Sequence, residues 1–178
     1  MLLANVGLPM IFVELPVLAA AFLPVVLIEA TLFRWRLSVP WRESLSGTFR
    51  ANLWSTFVGI PLAWFAQVVG QMVGGGGGIW ELDSPLNRLA SVTLQSAWLV
   101  PHPGEYDWMV PSAALCLLLP CLIVSIWVEQ FALRRYWVTL SSTRLLRVTI
   151  LGNVISYIML AGYWGLHLFL SLHPRPAS

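Results

Sequence analysis

The sequence predicts an all-α integral membrane protein: four transmembrane helices arranged as two tandem, parallel-repeat hairpins, with a short interfacial amphipathic helix in the outer loop. Three observations carry that prediction. Hydrophobic residues fill 58% of the 178 positions and charged residues only 10%, whereas a soluble domain usually carries roughly 25% charge. Four stretches approach or exceed the ~20 mostly apolar residues that a membrane-crossing helix needs. Eight of the ten arginines flank two of the three connections between those stretches, and such asymmetry sets membrane topology. High hydrophobicity with low charge also excludes a disordered chain. The expected organisation is one membrane domain over 1–178: repeat 1 at about 10–73, an outer loop at 74–109, repeat 2 at about 110–172 and a short tail at 173–178.

The first span runs from about Met10 to Phe33, the second from Ala51 to Val73, the third from Val110 to Leu133 and the fourth from Val148 to Leu172. Pro16, Pro24, Pro61 and Pro120 fall inside them and favour kinks, because each removes a backbone hydrogen bond. Arg34, Arg36, Arg42 and Arg50 surround the first connection, and Arg134, Arg135, Arg144 and Arg147 the third. The positive-inside rule then puts both short loops in the cytoplasm and both termini outside. A multi-pass protein of the inner membrane is expected. The apolar start has no basic region before it and arginines after it, so it is expected to be a retained span and not a cleaved signal. Trp35, Trp41, Tyr136 and Trp137 are expected at one headgroup level and Trp80, Trp98, Tyr106 and Trp108 at the other.

The outer loop opens with Gly74 to Gly78, a flexible hinge. It is no phosphate loop, since no Gly-Lys-Ser/Thr follows and the chain has no lysine. Ser84-Pro85 is a helix start, with Ser as N-cap and Pro at the first position. Leu86, Leu89, Ala90, Thr93, Leu94, Ala97 and Trp98 then form a mainly apolar stripe opposite Asn87, Arg88, Ser91 and Gln95, as in a helix lying on a bilayer surface or docking on a partner.

A weak internal repeat is the most informative feature. Glu29 precedes Arg34 by five residues and Asn52 by 23; Glu129 precedes Arg134 by five and Asn153 by 24. A small residue precedes each Asn, and Ser55 and Ser156 follow three later. Parallel repeats are related by an axis along the membrane normal. Glu29, Asn52, Glu129 and Asn153 then share one depth near the inner ends of their helices, with Ser55 and Ser156 a turn deeper. The structural reading is that each Glu bonds the Asn of its own hairpin, at ~0.6 kcal/mol per bond, while Arg34 and Arg134 neutralise the acids. The functional reading is an ion or proton site, because intramembrane acids are costly and often mark such paths. Glu14, between Pro9 and Pro16, reads as a solvated first-turn residue.

Other chemistry is thin. His102, Glu105 and Asp107 have metal-ligand types but sit among Pro101, Pro103 and Gly104, as an exposed turn does. They are also the only candidates for a lipid-directed enzyme. His167 is the one histidine inside a span, and a bis-histidine haem needs two; a pigment or quinone contact is its residual reading. Cys116 and Cys121 are expected as reduced, small hydrophobes. Gly70/Gly74 and Ala161/Gly165 fit small-xxx-small helix contacts. No zinc-protease, serine-hydrolase or dinucleotide motif occurs, and no cofactor or metal is expected. Nucleic-acid binding is not expected either, since the arginines lie in short membrane-side loops; there they attract anionic lipid. The favoured expectation is an accessory or scaffold subunit of a membrane assembly, packing on other membrane proteins or on itself. The alternative is a small transporter or channel subunit using Glu29, Glu129, Asn52 and Asn153.

Overall fold

The computed structural model describes residues 7–74, 81–100 and 102–173. Four rods are long and apolar enough to cross a membrane: Met10–Leu37, Trp41–Val73, Tyr106–Tyr136 and Ser142–Leu172. We label Met10–Leu37 α1. The second rod consists of α2 (Trp41–Trp54), a π-helical turn (Ser55–Gly59) and α3 (Ile60–Val73). A short helix α4 (Pro85–Thr93) follows, then α5 (Tyr106–Tyr136) and α6 (Ser142–Leu172). The rods form a ring. α1 lies against α2 and α6, and α5 lies against α6 and the α2–α3 rod.

Several rods overrun the apolar windows read from sequence. Spans two and four begin at Trp41 and Ser142 and not at Ala51 and Val148. An apolar window measures hydrocarbon depth, whereas a helix continues while its backbone bonds are met. α1 stops where Ser38 turns left-handed at φ 56°, its N–H bonded to the Arg34 carbonyl at 3.0 Å. Arg34 and Arg36 occupy that last turn, and Arg134 and Arg135 the last turn of α5, where cations meet the negative end of the helix dipole.

The π turn has a local cause. Pro61 has no N–H to offer the carbonyl four residues back, and its ring crowds that position. The chain takes in an extra residue just before it, and the Ile60 N–H reaches back five residues to the Ser55 carbonyl.

The core is split in two. One cluster, including Met10, Leu99, Met109, Leu117, Leu160 and Trp164, fills the end that carries the termini. The other, including Phe33, Leu37, Leu133, Trp137, Leu145 and Val148, fills the arginine-rich end. Trp137 at the end of α5 therefore faces the protein interior. It is buried and stacked on Phe33 with ring centroids 5.5 Å apart.

The long connection folds back onto the bundle. Leu8–Pro9 (β1) pairs antiparallel with Trp98–Leu99 (β2). The Ala97 carbonyl accepts from the Met10 N–H at 3.1 Å and from Trp64 Nε1 at 2.8 Å. Gln71 donates to the Trp98 carbonyl at 3.0 Å and accepts the Trp98 N–H at 3.2 Å. The helical stripe expected through Trp98 ends at Thr93: residues 94–97 turn out of the helix, and Trp98 is held in β2. On α4, Ser91 and Val92 face the protein while Leu86 and Leu89 face out.

The start of α4 is as expected, with the Ser84 hydroxyl accepting the Asn87 N–H at 3.1 Å. Ser84→Ala is expected to cost about 1 kcal/mol of local stability, read as faster amide exchange over Asn87–Thr93 with the four rods unaffected. Among the described residues a methyl added at Gly70 or Gly165 meets nothing within 4 Å, so neither glycine marks a close helix approach. The Gly75–Gly78 part of the hinge, Trp80 and Arg175 lie outside the described residues.

Candidate functional site

Between the two core clusters lies a polar layer made from both halves of the chain. Glu29 stands on α1, eight residues before its last residue Leu37. Glu129 stands on α5, seven before Tyr136. At 1.5 Å per residue each acid is roughly 11 Å from its helix end, because the helices run on past the apolar windows.

The acids are held reciprocally. The Asn52 side-chain amide donates to Glu29 Oε2 at 2.6 Å, and that of Asn153 to Glu129 Oε2 at 2.6 Å. Each carboxyl's second oxygen is met from the other hairpin: Ser156 Oγ lies 3.0 Å from Glu29 Oε1, and Ser55 Oγ 3.0 Å from Glu129 Oε1. The second amide hydrogens go to the Thr48 and Thr149 carbonyls, both at 3.1 Å. All six residues singled out in the sequence are buried and meet here. The serine links across hairpins were not expected, and neither were Thr48 and Thr149. Thr-x-x-small-Asn-x-x-Ser at 48–55 and again at 149–156 was the readable signal for the latter.

Hydrogen counting within this layer is informative. The Ser156 hydroxyl lies 3.0 Å from the Gly152 carbonyl as well as from Glu29. The Ser55 hydroxyl lies 3.1 Å from the Asn52 carbonyl as well as from Glu129. A hydroxyl has one hydrogen, so each serine faces two acceptors with a single donor. Both contacts become hydrogen bonds at once when the carboxyl carries a proton and donates it to the serine.

Among the described residues no cation is paired with these acids, and the polar partners of Glu29 and Glu129 are amides and hydroxyls. The expected neutralisation by arginine is not found: the Arg34 guanidinium lies 5.9 Å over the Trp41 ring. An uncompensated buried carboxylate is strongly unfavourable, which again fits a protonated pair.

Two local features seat the layer. Gly152 lets α1 approach α6: a Cβ there would stand 3.2 Å from Glu29 Cγ. The π turn begins at Ser55 itself, and such insertions are frequent at functional sites. A cavity of about 40 Å³ borders Glu29, Glu129, Asn52, Asn153, Ser125 and Tyr157, enough room for a water molecule. Ser125 and the Tyr157 hydroxyl are bonded at 2.8 Å, one helical turn from Glu129 toward the terminal end.

Glu14 is not solvated. It is 4% exposed on the inward face of α1, with Oε1 unpartnered. An apolar helix gives little sign of which side faces inward, so depth alone misplaced it. Cys121 is buried on α5, and Tyr157 lines the small cavity beside Glu129 and Glu29.

The remaining candidates are not assembled into a site. Glu105 accepts from Trp108 Nε1, and its own N–H donates to the His102 carbonyl at 3.1 Å. Asp107 is exposed and its carbonyl accepts from Ser171 at 2.6 Å. Among the described residues no three His, Cys, Asp or Glu side chains are grouped to hold a metal. His167 is exposed on α6, its ring centroid 4.6 Å from that of Tyr163. Both cysteines are free thiols. No protein-family model, curated protein or solved structure matches the chain.

Proposed function

We propose that this protein is a small transporter or channel subunit in which Glu29 and Glu129 form a paired proton site, framed by Asn52, Ser55, Asn153 and Ser156. The observation that carries the reading is the hydrogen count: at both ends of the layer one serine hydrogen faces two acceptors. Each carboxyl therefore has a built place for a proton. Cys121, Ser125 and Tyr157 supply polar stations between this layer and Glu14 that α1 alone lacks. Under the same proposal the two hairpins are tandem repeats about a twofold axis along the membrane normal. The arginine-rich loops are cytoplasmic in an inner membrane, the termini lie outside, and the Leu86–Leu89 side of α4 rests in the outer interface.

Liposomes loaded with a pH-sensitive dye test the proposal. Purified protein under a potassium-diffusion potential is expected to speed internal acidification well above protein-free vesicles. Vesicles no faster than the controls would end the proton reading.

A second reading, an accessory or scaffold subunit packing on other membrane proteins or on itself, is favoured by the outward apolar residues of α4 and by the closed bonding of the layer. It expects self-association or a stable co-purifying partner in mild detergent. A lone monomer counts against it.

A further inference from the structure

A groove of about 640 Å³ runs along the outside of the bundle between α2 and α5, within the ~300–1,000 Å³ of small-molecule sites. Its floor includes the small residues Ala51 and Ala132, and its walls include Trp54 and Trp127. Arg50 and Arg135 stand on it at the arginine-rich end. Both guanidiniums rest on aromatic faces, Arg50 5.4 Å from the Tyr136 centroid and Arg135 4.1 Å from that of Phe131. Neither has a carboxylate partner among the described residues. Stacking leaves the in-plane N–H groups of an arginine available, and these suit phosphate.

We infer that this groove is a binding site for one anionic phospholipid, its phosphate held between Arg50 and Arg135 and an acyl chain lying between Trp54 and Trp127. Charge complementarity selects the occupant. Apolar walls alone would take any chain, whereas a pair of arginines over one apolar groove selects an anionic headgroup. The pair is also specific to this side. Aligning Glu29 with Glu129 and Asn52 with Asn153 puts Trp35 opposite Arg135 and Leu151 opposite Arg50, so the matching face between α1 and α6 lacks both charges. The inference is independent of the carboxyl layer.

Native mass spectrometry of the purified full chain, equilibrated with equimolar phosphatidylglycerol and phosphatidylcholine, provides the test. Wild type is expected to retain phosphatidylglycerol with a preference of about thirtyfold, the scale of two basic groups at ~1 kcal/mol each acting on one anionic headgroup. Arg50→Gln with Arg135→Gln should bring the ratio near parity, while Arg42→Gln with Arg147→Gln, outside the groove, should leave it unchanged. A wild type without preference, or an equal loss in the Arg42/Arg147 variant, would overturn the site in favour of diffuse loop charge. Displacement of the lipid by soluble glycerol phosphate would overturn it in favour of a water-phase phosphate site. Ala132→Phe, which fills the floor and keeps both arginines, supports the site if bound lipid is lost with the melting temperature unchanged. Undiminished lipid in that variant refutes it.

Discussion

Glu29→Gln combined with Glu129→Gln is expected to abolish proton flux and leave the bundle standing. A glutamine side chain reproduces the protonated carboxyl. Its carbonyl oxygen accepts from Asn52 or Asn153, and its NH₂ donates to Ser156 or Ser55. Each serine then gives its one hydrogen to the Gly152 or Asn52 carbonyl. Every bond of the layer survives, and the melting temperature should stay within a few degrees of wild type. What is lost is the ability to release and rebind a proton, so dye acidification should fall to the protein-free rate. Flux retained by the double variant would remove these acids from the transport path. A large fall in melting temperature would show instead that the layer is held by ionised carboxylates.

Gly152→Leu carries the largest expected loss of stability. A Cβ at this position already meets Glu29 Cγ at 3.2 Å, and the added isobutyl group has no space beyond it. Overpacking of a tight core costs about 1–3 kcal/mol. Pushing α1 away also breaks the Ser156 contact and leaves a buried acceptor unmet, at about 1–3 kcal/mol more. The combined expectation is a loss of about 3 kcal/mol or more, seen as a lower midpoint in a detergent–denaturant titration. Gly162→Leu is the matched control, since nothing lies within 4 Å of a Cβ there, and it should be close to neutral. Equal losses in the two variants would show that the close approach of Glu29 does not set the cost.

The spans were legible because hydrocarbon thickness writes itself into composition over ~20 residues. The pairing of Glu29 with Asn52, and of Glu129 with Asn153, was legible because 23 and 24 residues separate equivalent groups across two similar hairpins. The cross-hairpin serines were not, since they depend on how one hairpin faces the other, which no spacing within a hairpin encodes. Glu14 was misplaced, and the inward orientation of Trp137 went unread, for a related reason. In a span that is apolar on every side, as α1 largely is, periodicity does not mark the inward face, so an acid at its start and an aromatic residue at a loop edge default to water and headgroups. In the structure packing decides both: Glu14 joins the inward face with Met10, and Trp137 covers Phe33. The α4 stripe failed beyond Thr93 because the chain turns there, and its last residue, Trp98, is taken by β pairing with a segment some 90 positions earlier.

The exchange of serines between hairpins has a consequence for biogenesis. Residues 10–73 emerge from the ribosome first and enter the bilayer before their partner exists. At that stage Glu29 has Asn52 but no Ser156, and Ser55 has no carboxyl to meet. The nascent intermediate therefore carries a half-solvated acid in lipid until residues 106–172 insert beside it. Chains truncated before α6 lack the Ser156 hydroxyl and leave Glu29 with Asn52 as its one side-chain partner among the described residues.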